Sequence, residues 1–170
     1  GNDVEAVVDG VNISAGGDVN LRADSDETLH NYSGALAGAG SGTVSMGVGA
    51  TVVVNTVNGN TLAALKNSTI NADDLLVQAQ NKRRINSSQT GIGIVASAMG
   101  AGALIASVSV HDLEGAATAI VDEVSGSLHS MTVDSQRDQN IDTYNNGFAL
   151  SGGTGSVSMG VGVTVLQGSR

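Results

Sequence analysis

Three histidines and sixteen carboxylates are the side chains in this sequence best suited to holding a metal or moving a proton. His30, His111 and His129 recur at no common interval, and none has a partner at metal-ligand spacing, so they are expected on the surface. The carboxylates fall in short runs, Asp24-Asp26-Glu27, Asp73-Asp74 and Asp122-Glu123. A polysaccharide-cleaving site needs paired carboxylates gathered in one cleft. These runs sit among turn residues and read as solvated, and no calcium-loop pattern is present. Lys82-Arg83-Arg84 is the one basic cluster. It reads as a solvated turn, with contact between filaments as the alternative. "GALAGAG" (Gly34 to Gly40) lacks the lysine and the strand-turn-helix setting of a phosphate loop. The expectation is that there are no catalytic residues, no cofactor-binding residues and no metal ligands, and that the protein is not an enzyme.

The elements that carry these residues are unusual in composition. The 170 residues include 24 Gly, no Pro, Cys or Trp, one Phe and two Tyr, and the apolar fraction of 41% is mostly Ala and Val. A core made of such small side chains must be thin. The net charge of −9 excludes nucleic acid as a partner, because phosphate binding needs a basic face.

A repeat of about 57 residues organises the chain. "VEAVVD" (from Val4) aligns with "TLAALK" (from Thr61) and "ATAIVD" (from Ala117). "DVNLRA" (from Asp18) aligns with "DLLVQA" (from Asp74) and "SMTVDS" (from Ser130). "GTVSMGVGATVV" (from Gly42) returns 113 residues later as "GSVSMGVGVTVL", with a diverged middle copy. Three copies therefore occupy 1–57, 58–113 and 114–170, with charges of −6, +1 and −4. The simplest reading is one continuous rod, a segment of a longer array.

Within each copy apolar residues alternate with polar or glycine residues, the signature of β-strands. Separators such as "SAGGD" and "TVNGN" supply turn chemistry. The predicted fold is all-β, a parallel β-helix (β-solenoid) with two or three coils per copy. Val8/Leu65/Val121 and Leu21/Val77/Val133 are expected to stack as core ladders. Val44, Met46, Val48, Ala50 and Val52 are expected to turn inward. That leaves Gly47, Gly49, Gly160 and Gly162 as a smooth outer packing face or a tight corner. Asn55, Asn58 and Asn60 suggest an amide ladder at one turn, interrupted in the middle copy by Asp112 and Glu114.

Gly34 to Val54 and Gly91 to Val110 are uncharged over 21 and 20 residues, long enough for membrane helices. Their β-branched residues and period-two alternation argue for solenoid strands instead, and no membrane insertion by this segment is expected.

The pattern resembles a family: very large secreted bacterial adhesins and leukotoxin-like proteins with filamentous-haemagglutinin-like β-helical passengers. The matching stretches are "GVGATVVVNTVNGNTLAAL" (Gly47 to Leu65) and "SAGGDVNLRA" (Ser14 to Ala23). The resemblance implies type V secretion, as an autotransporter or two-partner system, and an extracellular or cell-surface location. It also implies cell adhesion, fibre or biofilm function. The expected role is a rigid structural or adhesive stalk that self-associates along or between filaments, with a host or bacterial surface receptor as a further partner. The alternative is a β-helical glycan-active enzyme or toxin passenger segment.

Overall fold

The computed structural model describes residues 2–40 and 42–168. Among these the chain is all-β, and every strand pairing is parallel. The first copy supplies β1 (Val4–Asp9), β2 (Asn12–Ser14), β3 (Val19–Gly40) and β4 (Val44–Val57). The second supplies β5 (Thr61–Lys66), β6 (Thr69–Ala96) and β7 (Gly100–Leu113). The third supplies β8 (Ala117–Asp122), β9 (Leu128–Gly152) and β10 (Val157–Gly168). They stack as β1-β5-β8, as β4-β7-β10, and as β2 and β3 on β6 with β9 beyond. This is the parallel β-solenoid arrangement that the alternation and repeat predict.

Each copy is one layer, not two or three coils. Val4 pairs with Thr61, Val19 with Leu75, and Leu75 with Met131, so hydrogen-bonded neighbours lie one whole repeat apart. The physical reason is strand length. β3 runs unbroken for 22 residues through Asp24, Asp26, Asn31 and Gly34, where shorter coils would need corners. Three layers rise only about 14 Å, while the 22 residues of β3 extend about 70 Å sideways. This segment is therefore broader than it is tall.

The breadth divides into two regions. In the body, β1, β2 and the first half of β3, with their stacked equivalents, enclose an ordinary apolar core. Ala23, Ala63, Leu65, Ile70, Leu75, Val77 and Ala79 are buried there. Val8 pairs with Leu65 and Leu65 with Val121, and all three pack in this core. Leu21 pairs with Val77 and Val77 with Val133; Val77 is buried, whereas Val133 in the last layer is exposed. Beyond the body, the second half of β3 runs out and β4 returns against it, forming a two-sheet blade with β6/β7 and β9/β10 as further layers.

Gly59 and Gly115 turn the corner after β4 and β7 with φ of +141° and +131°, where a side chain would be strained. The buried Arg83 guanidinium fastens this corner. Its Nη1 donates to the Val57 carbonyl at 3.2 Å, Nη2 to the Gly59 carbonyl, and Nε to Asn81 Oδ1 at 2.8 Å. Arg83 is thus not a solvated turn residue. From Leu75 to Val95 the odd-numbered residues of β6 point inward, so Lys82 is half-buried and Arg84 exposed on either side of a buried Arg83.

Candidate functional site

The blade inverts the usual sense of a β-sheet. Along β4 the buried positions are Gly47, Gly49, Thr51, Val53, Asn55 and Val57. Val44, Met46, Val48, Ala50, Val52 and Val54 face outward, with Val44 75% and Met46 74% exposed. The expectation that the valines turn inward is wrong, and the glycines form neither an outer packing face nor a corner. A Cβ on Gly47 would stand 2.7 Å from Val95 Cγ2, and one on Gly49 would stand 2.8 Å from Ile105 Cδ1. Val95 belongs to the facing sheet and Ile105 to the next strand of the same sheet, and a Cβ on Gly49 would also stand 3.1 Å from Ala37 Cβ of the facing sheet. Val95 and Ile105 already fill the interior beside Gly47 and Gly49, so no side chain fits at those two positions.

Ile105 is the one bulky side chain in the middle of this interior, fully buried. Gly49, Gly91 and Gly93 each leave the space it fills. Gly160 and Gly162 turn the same way: added Cβ atoms would meet the Gly147 carbonyl oxygen at 3.0 Å and Asn145 Cβ at 3.2 Å. They do not stack on Gly47 and Gly49 as their sequence alignment suggests. Gly160 pairs with Ile105, which pairs with Gly49; Gly162 lies over Ser107 and Thr51. The slip is two residues, and an even slip keeps every side chain on its own face.

Between the body core and the blade tip lies a polar seam. Asn31 Nδ2 donates to Asn55 Oδ1 at 2.8 Å, and Asn55 Nδ2 lies 3.0 Å from His111 Nδ1. With this amide orientation Asn55 donates, so Nδ1 is the unprotonated nitrogen of a neutral ring. His111 is fully buried, contrary to the surface position expected for it, and burial lowers its pKa from the ordinary 6.5. The other two histidines, His30 and His129, are exposed. Asn55 thus joins an interior network and stacks on His111, not on Asp112. At the turn, Asn60 Oδ1 accepts from the Ala116 backbone N–H at 3.1 Å.

The outer faces of the blade are apolar on both sides. On the β4/β7/β10 face the rungs read Met46-Gly102-Val157, Val48-Leu104-Met159, Ala50-Ala106-Val161, Val52-Val108-Val163 and Val54-Val110-Val165. Gly102 opens a shallow groove between Met46 and Val157. The β3/β6/β9 face carries Leu36, Ile92, Ile94, Phe148 and Leu150, and nearer the body Tyr32 and Tyr144. No Asp, Glu, Lys or Arg occurs in 31–55, 85–111 or 143–168. All charge outside the masked termini is thereby confined to the body and the blade root. That charge gap was the available signal for the blade. The face assignment was missed because alternation defines two faces without saying which is inside.

Among the described residues, no group of three or more His, Cys, Asp or Glu is arranged to hold a metal. No helix of the structure is long and apolar enough to cross a membrane. No protein-family model matches the chain, and no curated protein or solved structure gives a significant match.

Proposed function

We propose that this chain is a repeating structural and adhesive segment of an extracellular bacterial adhesin or surface fibre, and that copies associate laterally through the valine face of the blade. The observation that carries the lateral contact is the exposed, uncharged β4/β7/β10 face. A repeat that spends one layer on each 56 or 57 residues gains little length, so it builds side surface more effectively than reach. Eleven residues along three strands cover about 500 Å² per copy, so two such faces meeting would bury about 1,000 Å², the lower bound for a specific interface. The net charge of −9 opposes association elsewhere on the surface, whereas the blade holds no charge to repel a second blade. A second copy also completes this face isologously, valines on valines, about 10 Å between sheets. The adhesive role and the cell-surface location rest on the family resemblance of the repeat.

Sedimentation velocity tests the lateral contact. The protein is expected to self-associate with little dependence on salt, and Val48→Asp together with Val52→Asp to give monomers with an unchanged β-sheet circular-dichroism spectrum. A wild-type chain that stays monomeric at high concentration, or a double variant that still associates, removes this reading. Labelling of intact source cells by antibody, lost on external protease treatment, tests the location; signal only after permeabilisation removes the surface assignment.

A further inference from the structure

The chain has three aromatic side chains, Tyr32, Tyr144 and Phe148, and none serves a core. All three project from the β3/β6/β9 face, the side of the blade away from the valine face, with Tyr32 80% and Tyr144 63% exposed. Packing therefore does not account for the tyrosines. Their placement does more: Tyr32 pairs with Ser88 and Ser88 with Tyr144, so both tyrosines occupy one rung with a small residue between them. Strand spacing puts them about 9.6 Å apart across Ser88. A cleft opens there, lined by Tyr32, Tyr144, Ser88, Asn86 and Asp142.

We propose that this cleft binds a quaternary ammonium group of the choline type. Rings stacked at that backbone spacing would leave a cation between them about 4.8 Å from each, inside the roughly 6 Å over which a ring face attracts a cation. N-methyl groups suit apolar walls and bring no N–H that must find an acceptor. Asp142 supplies the opposite charge on the same face, two residues before Tyr144. Asn140 Nδ2 donates to Asp142 Oδ2 at 3.1 Å and holds that carboxylate in place. On the adjacent strand Asn86, which pairs with His30 on one side and Asp142 on the other, has its Nδ2 3.4 Å from His30 Nδ1. Arg84, the nearest cationic side chain on this face of β6, is four residues from Ser88, about 13 Å away. The net charge of −9 also favours approach of a cation. Free choline and the headgroup of a phosphatidylcholine bilayer share this chemistry.

The test is an NMR titration of the tyrosine ring protons with tetramethylammonium and choline, against 3,3-dimethylbutan-1-ol as the uncharged isostere. Saturable ring shifts with a dissociation constant on the order of millimolar are expected for the cations, and at least about tenfold weaker binding for the alcohol. Tyr32→Ala and Tyr144→Ala should each weaken choline binding about fivefold or more, Asp142→Asn about threefold, and the Tyr→Phe changes little. Circular dichroism checks that the variants stay folded, which their exposure favours. Pelleting with phosphatidylcholine vesicles, and not with phosphatidylethanolamine vesicles, assigns the ligand to a membrane headgroup; binding of free choline alone assigns a soluble source. Equal binding of the alcohol, unchanged binding by Tyr32→Ala, or displacement by neutral methyl glycosides at the same concentration would overturn the proposal.

Discussion

The body and the blade are built from the same strand. In β6 the inward positions run Leu75, Val77, Ala79, then Asn81, Arg83, Ile85, Ser87, Gln89, and finally Gly91, Gly93, Val95. The outward positions run Leu76, Gln78, Gln80, Lys82, Arg84, Asn86, Ser88, Thr90, and then Ile92 and Ile94. From Leu75 onward the parity never changes, yet the chemistry of the two faces changes places along the strand. What differs is the room inside. In the body three walls surround a core wide enough for leucine and isoleucine, and hydrophobic burial decides what goes in. In the blade two sheets press together, and volume decides. Glycine, alanine and serine take most of the inward places beside Val53, Val95 and Ile105, and Val44, Val48, Val52 and Val54 of β4 face outward.

The sharpest way to break this comparison is to cut the same amount of side chain from each interior. Ile70 in the body and Ile105 in the blade are both fully buried. Ile70→Ala should cost about 2–5 kcal/mol, read as a lower urea midpoint, because a leucine-sized gap in a three-walled core collapses poorly. Ile105→Ala alone should cost a similar amount. A cost at Ile105 well below that at Ile70 would mean that the two sheets of the blade do not press together around it.

A smaller effect separates volume from hydrophobicity. An added Cβ on Gly91 would overlap Ile105 Cγ2, and one on Gly93 would come within 2.9 Å of Ile105 Cδ1. Gly91→Ala should therefore destabilise by about 1–3 kcal/mol through overpacking. In the Ile105→Ala background the same change should cost much less, since the methyl group then fills vacated space. Denaturant unfolding of the four chains gives the coupling directly. Additive costs would show that the glycines serve backbone conformation and not the seat of Ile105.

The strands, the repeat and the stacked pairs of the body were legible, because alternation and self-similarity are local properties of the sequence. Val8, Leu65 and Val121 could be aligned by eye, and they pair in that order. The blade was not legible, because the inside of an alternating strand is chosen by what faces it. Nothing within "SMGVGATVV" reveals that Ala37, Ala39 and Val95 lie opposite its glycines. The register of the third layer was lost for a related reason. The best sequence match sets Gly160 over Gly47, whereas the ladder sets it over Gly49, and the mismatch is an even number that keeps the faces unchanged. His111 was misplaced because a lone histidine in a run of Ser and Val carries no mark of burial. Its partner Asn55, and Asn31 which bonds Asn55 in turn, belong to a different layer.

The seam between the regions gives the smallest effect, and its sign is fixed. Burial holds the His111 pKa below its ordinary value of 6.5. Protonation at Nδ1 would also set an N–H against the amide hydrogens of Asn55, 3.0 Å away. Above the unfolded-state pKa the ring is neutral in both states, and its contribution to stability is complete. As pH falls through that value the unfolded chain takes up a proton that the folded chain refuses, so stability declines. The decline continues until the lowered folded-state pKa is passed. His111→Gln keeps an acceptor for Asn55 and cannot titrate, so its melting temperature should fall less than that of the unaltered chain between pH 7.5 and 5.5. Parallel curves for the two chains would mean that the seam opens to water and that body and blade are not joined by a dry interior.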